Sequence, residues 1–142
     1  MTEDIVIRAF GPQDEPAVVE LWETAFPDEP PCNNPTDVID RKLSVQSDLF
    51  LVCIAGGRLV GTVLAGFDGV RGWVHKVAVD PGFQRKGIAS RLMKAAEGGL
   101  AEMGCPKVNL QVRSLNVAVV EFYRSAGYSI EDRISMGKRL EP

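Results

Sequence analysis

The stretch "VAVDPGFQRKGIASRLMKAA", Val77 to Ala96, joins an alternating apolar run to a helical one through a short loop that ends in Gly87. Val77 and Val79 alternate as in the end of a half-buried strand, while Ile88, Leu92, Ala95 and Ala96 recur at helical spacing. Strand, loop and helix in that order imply a right-handed crossover feeding a parallel strand. The first N–H groups of such a helix have no partner inside it and carry the positive end of its dipole. Gly87 and Ala89 keep bulk away from them, and Arg85 and Lys86 add positive charge. A pyrophosphate suits that chemistry. The pattern is neither GxxxxGK[ST] nor GxGxxG.

Working outward, "GWVHKVAV" (Gly72 to Val79) predicts the strand that enters the loop. Before it, "LFLVCIAGGRLVGTVLAGF" (Leu49 to Phe67) reads as two strands joined at Gly56-Gly57, a tight-hairpin signature. "IVIRAF" (Ile5 to Phe10) alternates as a first strand. Asp14 precedes Val18, Leu21, Trp22 and Phe26 at helical spacing, and Thr36 or Asp37 opens a second short helix with Val38, Ile39 and Leu43. Between them, "PDEPPCNNP" (Pro27 to Pro35) is too rich in proline for regular structure and long enough to be a functional loop. After the central helix, which Gly104 and Pro106 stop, "KVNLQV" (Lys107 to Val112) predicts a strand and Asn116 to Ala126 a helix. The tail "YSIEDRISMGKRL" reads as one or two last strands. The expected architecture is α/β of the α+β kind. It has a mixed, mostly antiparallel sheet, helices on both faces and one parallel pair, all in a single domain over residues 1–142.

Composition narrows the function. The chain has 142 residues, 45% of them apolar and 25% charged, with a net charge of −3. With no extended basic face there is no expectation of nucleic-acid binding. No apolar run is long enough to span a bilayer, and Glu3 and Asp4 follow Met1 where a signal peptide would be basic, so a cytoplasmic protein is expected, with no membrane partner. The three cysteines, Cys32, Cys53 and Cys105, form no CxxC pair, and with a single histidine no metal site is expected. No GxSxG turn is present.

Two ordered motifs give the chain a family likeness. "VAVDPGFQRKGIA" follows the order of an aliphatic-x-Val strand end, an acidic-Pro step and [QR]-x-x-G-x-[GA]. Further on, "NVAVVEFYRSAGY" places Tyr123 seven residues after Asn116 and follows it with Gly127-Tyr128. In both respects the chain resembles the GNAT superfamily of N-acetyltransferases. "GTVLAGFDGVRG", "GCPK" and "GKRL" are similar to the small bacterial branch often called YpeA-like. Val119 stands where an alanine is common.

The resemblance implies that the strand ending at Val79 and the one at Lys107 to Val112 splay apart. Main-chain groups of Val77 and Val79 would then hold the pantetheine amides of acetyl-CoA, with its pyrophosphate on the Gln84, Arg85, Lys86, Gly87, Ile88, Ala89 and Ser90 segment. Asn116 and Tyr123 belong to the same implied coenzyme site. The Val77 N–H would bind the thioester carbonyl, and Tyr123 would protonate the departing thiolate. Many relatives carry a carboxylate base on the strand from Trp73 to Val79, and this chain has none there. His75 alternates with Val77 and so is expected on the same face, with a reference pKa near 6.5 that suits a base; water is the alternative. The expected activity is acetyl transfer from acetyl-CoA to an amine, which could be a small molecule, a peptide N-terminus or a lysine. Asp28, Glu29 and Asp68 are candidates to attract its ammonium. A coenzyme-binding module without turnover is the other reading, and monomer and homodimer are both open.

Overall fold

Five strands form one sheet in the computed structural model, which describes residues 4–140: β1 (Ile5–Ala9), β2 (Phe50–Ala55), β3 (Arg58–Phe67), β4 (Gly72–Val79) and β5 (Val108–Leu110). They lie in the order β1-β2-β3-β4-β5, antiparallel throughout except for the parallel pair β4–β5. Gly56 and Gly57 close the β2–β3 hairpin with φ of 57° and 80°, values at which a side chain would be strained.

The chain divides into two compact units, one running through Gln111 and the other beginning at Val112. In the first, helices α1 (Glu15–Ala25) and α2 (Pro35–Ser44) cover one face of the sheet. Their Val18, Leu21, Trp22 and Ile39 pack with Phe50, Val52, Leu64 and Ala78. Helix α3 (Ile88–Glu102) covers the other face and buries Ile88, Leu92, Met93, Ala96 and Leu100. It lies so close that a Cβ on Gly61 would come 3.0 Å from Leu92 and 3.2 Å from Ile88. The second unit holds helix α4 (Val117–Ser125).

Most expected elements are present, with three physical adjustments. Helix α2 begins at Pro35, whose missing N–H costs nothing in a first turn, and its cap is Asn34 rather than Thr36 or Asp37: the Asn34 side chain accepts from the Thr36 N–H at 3.1 Å. Strand β5 is confined to Val108–Leu110 because its ladder with β4 is only that long. Among the described residues, Tyr128 to Leu140 form no strand, against the reading of the tail; the second unit contains no other strand with which they could form a ladder.

Candidate active site

The site begins with a fault in β4. Leu64 pairs with His75 and Thr62 with Ala78, so Val63 alone faces Lys76 and Val77. This is a β-bulge, and Lys76 takes it up with a φ of 55°. A non-glycine residue in that region costs of order 1–2 kcal/mol. The bulge overturns the expectation that His75 and Val77 share a face. His75 pairs with Leu64 on the α1–α2 side, whereas Val79 pairs with Gly61 against α3, and Val77 alternates with Val79.

The parallel ladder stops early as well. Strand β5 pairs with Gly72, Trp73 and Val74 only, while β4 runs on to Val79. The Asp80 N–H donates to the Val60 carbonyl at 2.8 Å, toward β3. Successive N–H groups along a strand point to opposite sides, so those of Val79 and Val77 are directed to the edge that β5 leaves uncovered.

Beyond the strand, Asp80 accepts from the Gly82 N–H at 2.8 Å and holds the turn Pro81–Phe83. Gln84, Arg85, Lys86 and Gly87 are exposed, with φ of 65° at Arg85 and 75° at Gly87. The first main-chain bond of α3 runs from the Arg91 N–H to the Gly87 carbonyl, which leaves the N–H groups of Ile88, Ala89 and Ser90 outside the helical ladder. Nearby, the buried Phe83 ring carries the Lys86 ammonium 5.0 Å and the Arg58 guanidinium 5.5 Å from its centre. Arg58, at the start of β3, escaped the sequence reading because it lies outside both motifs.

On the α1–α2 side the bulge presents the Lys76 side chain. Its ammonium stands 3.3 Å from Glu29 Oε1, 4.6 Å from the centre of Phe26 and 5.7 Å from that of Trp22. Asn33 donates to the other Glu29 oxygen at 2.8 Å. The proline-rich loop is thereby tied to β4, and Glu29 is the acidic candidate that the structure brings to the bulge. Asp68 instead organises the β3–β4 turn, accepting from the Val70 and Arg71 N–H groups at 2.8 Å. His75 is exposed, and its pKa is lowered first by desolvation and then by the Lys42 and Lys76 ammoniums.

In the second unit, Asn116 caps α4, its Oδ1 accepting from the Val119 N–H at 3.4 Å. Tyr123 is 8% exposed, and burial pushes its pKa up to about 12. Tyr128 stands edge-on to it, with ring centres 5.7 Å apart.

The model of the acetyltransferase (GNAT) family matches residues 15–128, four-fifths of the chain and parts of both units. The chain belongs to that family. A relative from Pectobacterium atrosepticum, named as an acetyltransferase, is 42% identical over 134 residues, 94% of each chain. The crystal structure of Ard1 from Thermoplasma volcanium is 26% identical and superposes with a TM-score of 0.81 over 89% of this chain and 84% of its own. The PaiA N-acetyltransferase of Thermoplasma acidophilum, solved with coenzyme A, is 20% identical with a TM-score of 0.79, covering 92% and 93%. The protein is therefore a GNAT acetyltransferase with the expected mixed sheet. Among the described residues, no helix of this GNAT chain is long and apolar enough to cross a membrane, and no three His, Cys, Asp or Glu side chains gather as metal ligands would.

Proposed function

We propose that the protein is a cytoplasmic N-acetyltransferase that moves the acetyl group of acetyl-CoA directly to an amine, with both units acting as one domain over residues 1–142. The observation that carries this reading is the uncovered edge of β4. Val77 and Val79 direct main-chain groups to a gap that a pantetheine arm, with its two amides, can line like a short added strand. The pyrophosphate then meets the N–H groups from Arg85 to Ser90, with Gln84, Arg85 and Lys86 around it. Asn116 supports the site by fixing the start of α4.

Acetyl transfer needs a neutral amine, a polarised thioester and a proton for the leaving thiolate. The Val77 N–H donates to the thioester oxygen and stabilises the charge that develops there as the amine attacks. The C–S bond then breaks, and Tyr123 gives its proton to the thiolate. A phenol near 12 is a weaker acid than a thiol near 8.5, so the transfer is uphill by roughly 3–4 pK units unless bound coenzyme lowers the gap. Water takes the amine's proton, and His75, on the opposite face of β4 and held neutral by its lowered pKa, is the base only if water carries the proton to it. Of the acidic candidates Glu29 lies nearest the bulge, but Lys76 already matches its charge, so it steers an acceptor ammonium only weakly.

The test is release of free thiol from acetyl-CoA across small amines, peptide N-termini and lysine peptides, read beside calorimetric binding of acetyl-CoA. Binding with thiol release for one class is the expected result. Binding without release in every class would make the protein a coenzyme-binding module, and no binding would refute the coenzyme site.

A further inference from the structure

We infer that Trp22 and Thr62 are positioning residues that aim the Val77 N–H at the thioester by gripping the other end of its peptide. The inference rests on the reading of Val77 as the carbonyl donor and adds what sets its direction. Trp22 Nε1 donates to Thr62 Oγ1 at 2.8 Å, and Thr62 Oγ1 donates to the Lys76 carbonyl at 2.9 Å. Trp22 is 1% exposed and Thr62 0%. A hydroxyl buried in the middle of a strand is costly unless both its roles are filled. Here they are, and the chain of bonds runs one way, from indole to hydroxyl to carbonyl, so each bond strengthens the next.

The carbonyl of Lys76 and the N–H of Val77 belong to the same peptide. That unit is planar and trans, so its carbonyl and N–H point in opposite directions. Thr62, standing on the α1–α2 side, draws the carbonyl toward itself and thereby sends the N–H away, toward the edge uncovered by β5. The grip matters because this peptide lies in the bulge, where the β3–β4 ladder no longer dictates its orientation. Lys76 also carries the strain of a φ of 55°. Rotating the peptide over would turn ψ of Lys76 and φ of Val77, leave the Lys76 φ unchanged, and replace the donor facing the thioester with a carbonyl oxygen. Thr62 opposes the rotation from below, and the Lys76 ammonium, paired with Glu29 and lying over Phe26, opposes it from the side chain.

The experiment compares wild type with Thr62→Val, Thr62→Ser and the double variant Trp22→Phe/Thr62→Val. Thr62→Val leaves the indole N–H unpaired and can cost stability; the double variant removes both polar groups and spares that penalty. Acetyl-CoA labelled with 13C at the thioester carbonyl is bound to each, and the carbonyl band is read by difference infrared spectroscopy, which needs no acceptor. With wild type the band should lie below that of free acetyl-CoA. In Thr62→Val and the double variant it should move back toward the free value, and Thr62→Ser should restore it. With whichever amine supports turnover, kcat should fall roughly 10- to 100-fold, a part of the loss typical of one oxyanion donor. KM for acetyl-CoA should stay within about twofold, since only the transition-state contact is weakened. An unshifted band in both variants that lack the hydroxyl, or a Thr62→Ser protein as impaired as Thr62→Val, would overturn the inference while the coenzyme reading stands. Failure of wild type to bind acetyl-CoA would overturn that reading and this one with it.

Discussion

The proposed mechanism asks Tyr123 and His75 to move protons in opposite directions, and their surroundings treat them differently. Burial raises the phenol to about 12, so it stays protonated across the working range and contributes no inflection to a pH profile below about pH 10. Tyr123→Phe should lower kcat by roughly 10²- to 10³-fold, the scale of a lost general acid, with KM for acetyl-CoA little changed. Steady-state kinetics with a fixed amine decide it; parallel losses in rate and coenzyme affinity would make Tyr123 a packing residue. For His75, desolvation and the cations Lys42 and Lys76 all penalise the imidazolium, so its pKa falls below 6.5. The active base is the neutral form, hence kcat/KM should rise with pH through an inflection below 6.5 and be flat in that group from there upward. Lys42→Ala removes one of the penalties and should move the inflection up, toward 6.5. If His75→Ala keeps the same lower inflection as wild type, water takes the proton.

Among the elements, β4 shows where reading the sequence succeeds and where it stops. Its ends, Gly72 and Val79, are legible because alternation and flanking turns mark them. The bulge is not, because Lys76 has no feature that announces a left-handed backbone; a glycine there would have. One extra residue reverses the faces, and for that reason the expectation that His75 shares a face with Val77 failed. The glycine loop and helix α3 were legible because Gly87, at φ 75°, is the residue type such a turn requires. Lys76, Thr62 and Trp22 were hidden because their roles come from contacts between β3, β4 and α1, distant in sequence. The Pro27–Pro35 loop was correctly read as irregular apart from the short turn Pro31–Asn33, but its anchor was not foreseen. Glu29→Ala should release that anchor. Lys76 and Glu29 side chains are 11% and 23% exposed, so the pair is partly shielded and worth about 1 kcal/mol. Hydrogen exchange should quicken over residues 28–34 and leave β2 and β3 unchanged; exchange over 28–34 as slow as in wild type would mean the loop holds itself.

At the scale of the whole molecule, an acidic chain of net charge −3 is expected to take a strongly anionic coenzyme. Global attraction is therefore not available, and in the proposed site local charge supplies it: Arg85 and Lys86 on the loop and the N–H groups at the start of α3, while Arg58, beside Phe83, is already paired with Asp80 at 3.4 Å. Those charges are exposed and screened by salt, so affinity should weaken as ionic strength rises. Binding to the folded state alone stabilises it by about 2.7 kcal/mol when free ligand is a hundredfold above Kd. For a chain of this size, at about 3 °C per kcal/mol, acetyl-CoA should raise Tm by about 8 °C. Gly87→Val separates this effect from general stabilisation. A Cβ at Gly87 meets nothing within 4 Å, so the variant is disfavoured by its φ of 75° and not by crowding. The loop must then shift, the N–H groups lose their common focus, and the Tm gain on adding acetyl-CoA should shrink by more than half even where the unliganded variant still melts cooperatively. A gain equal to that of wild type would remove the α3 N-terminus from the coenzyme site.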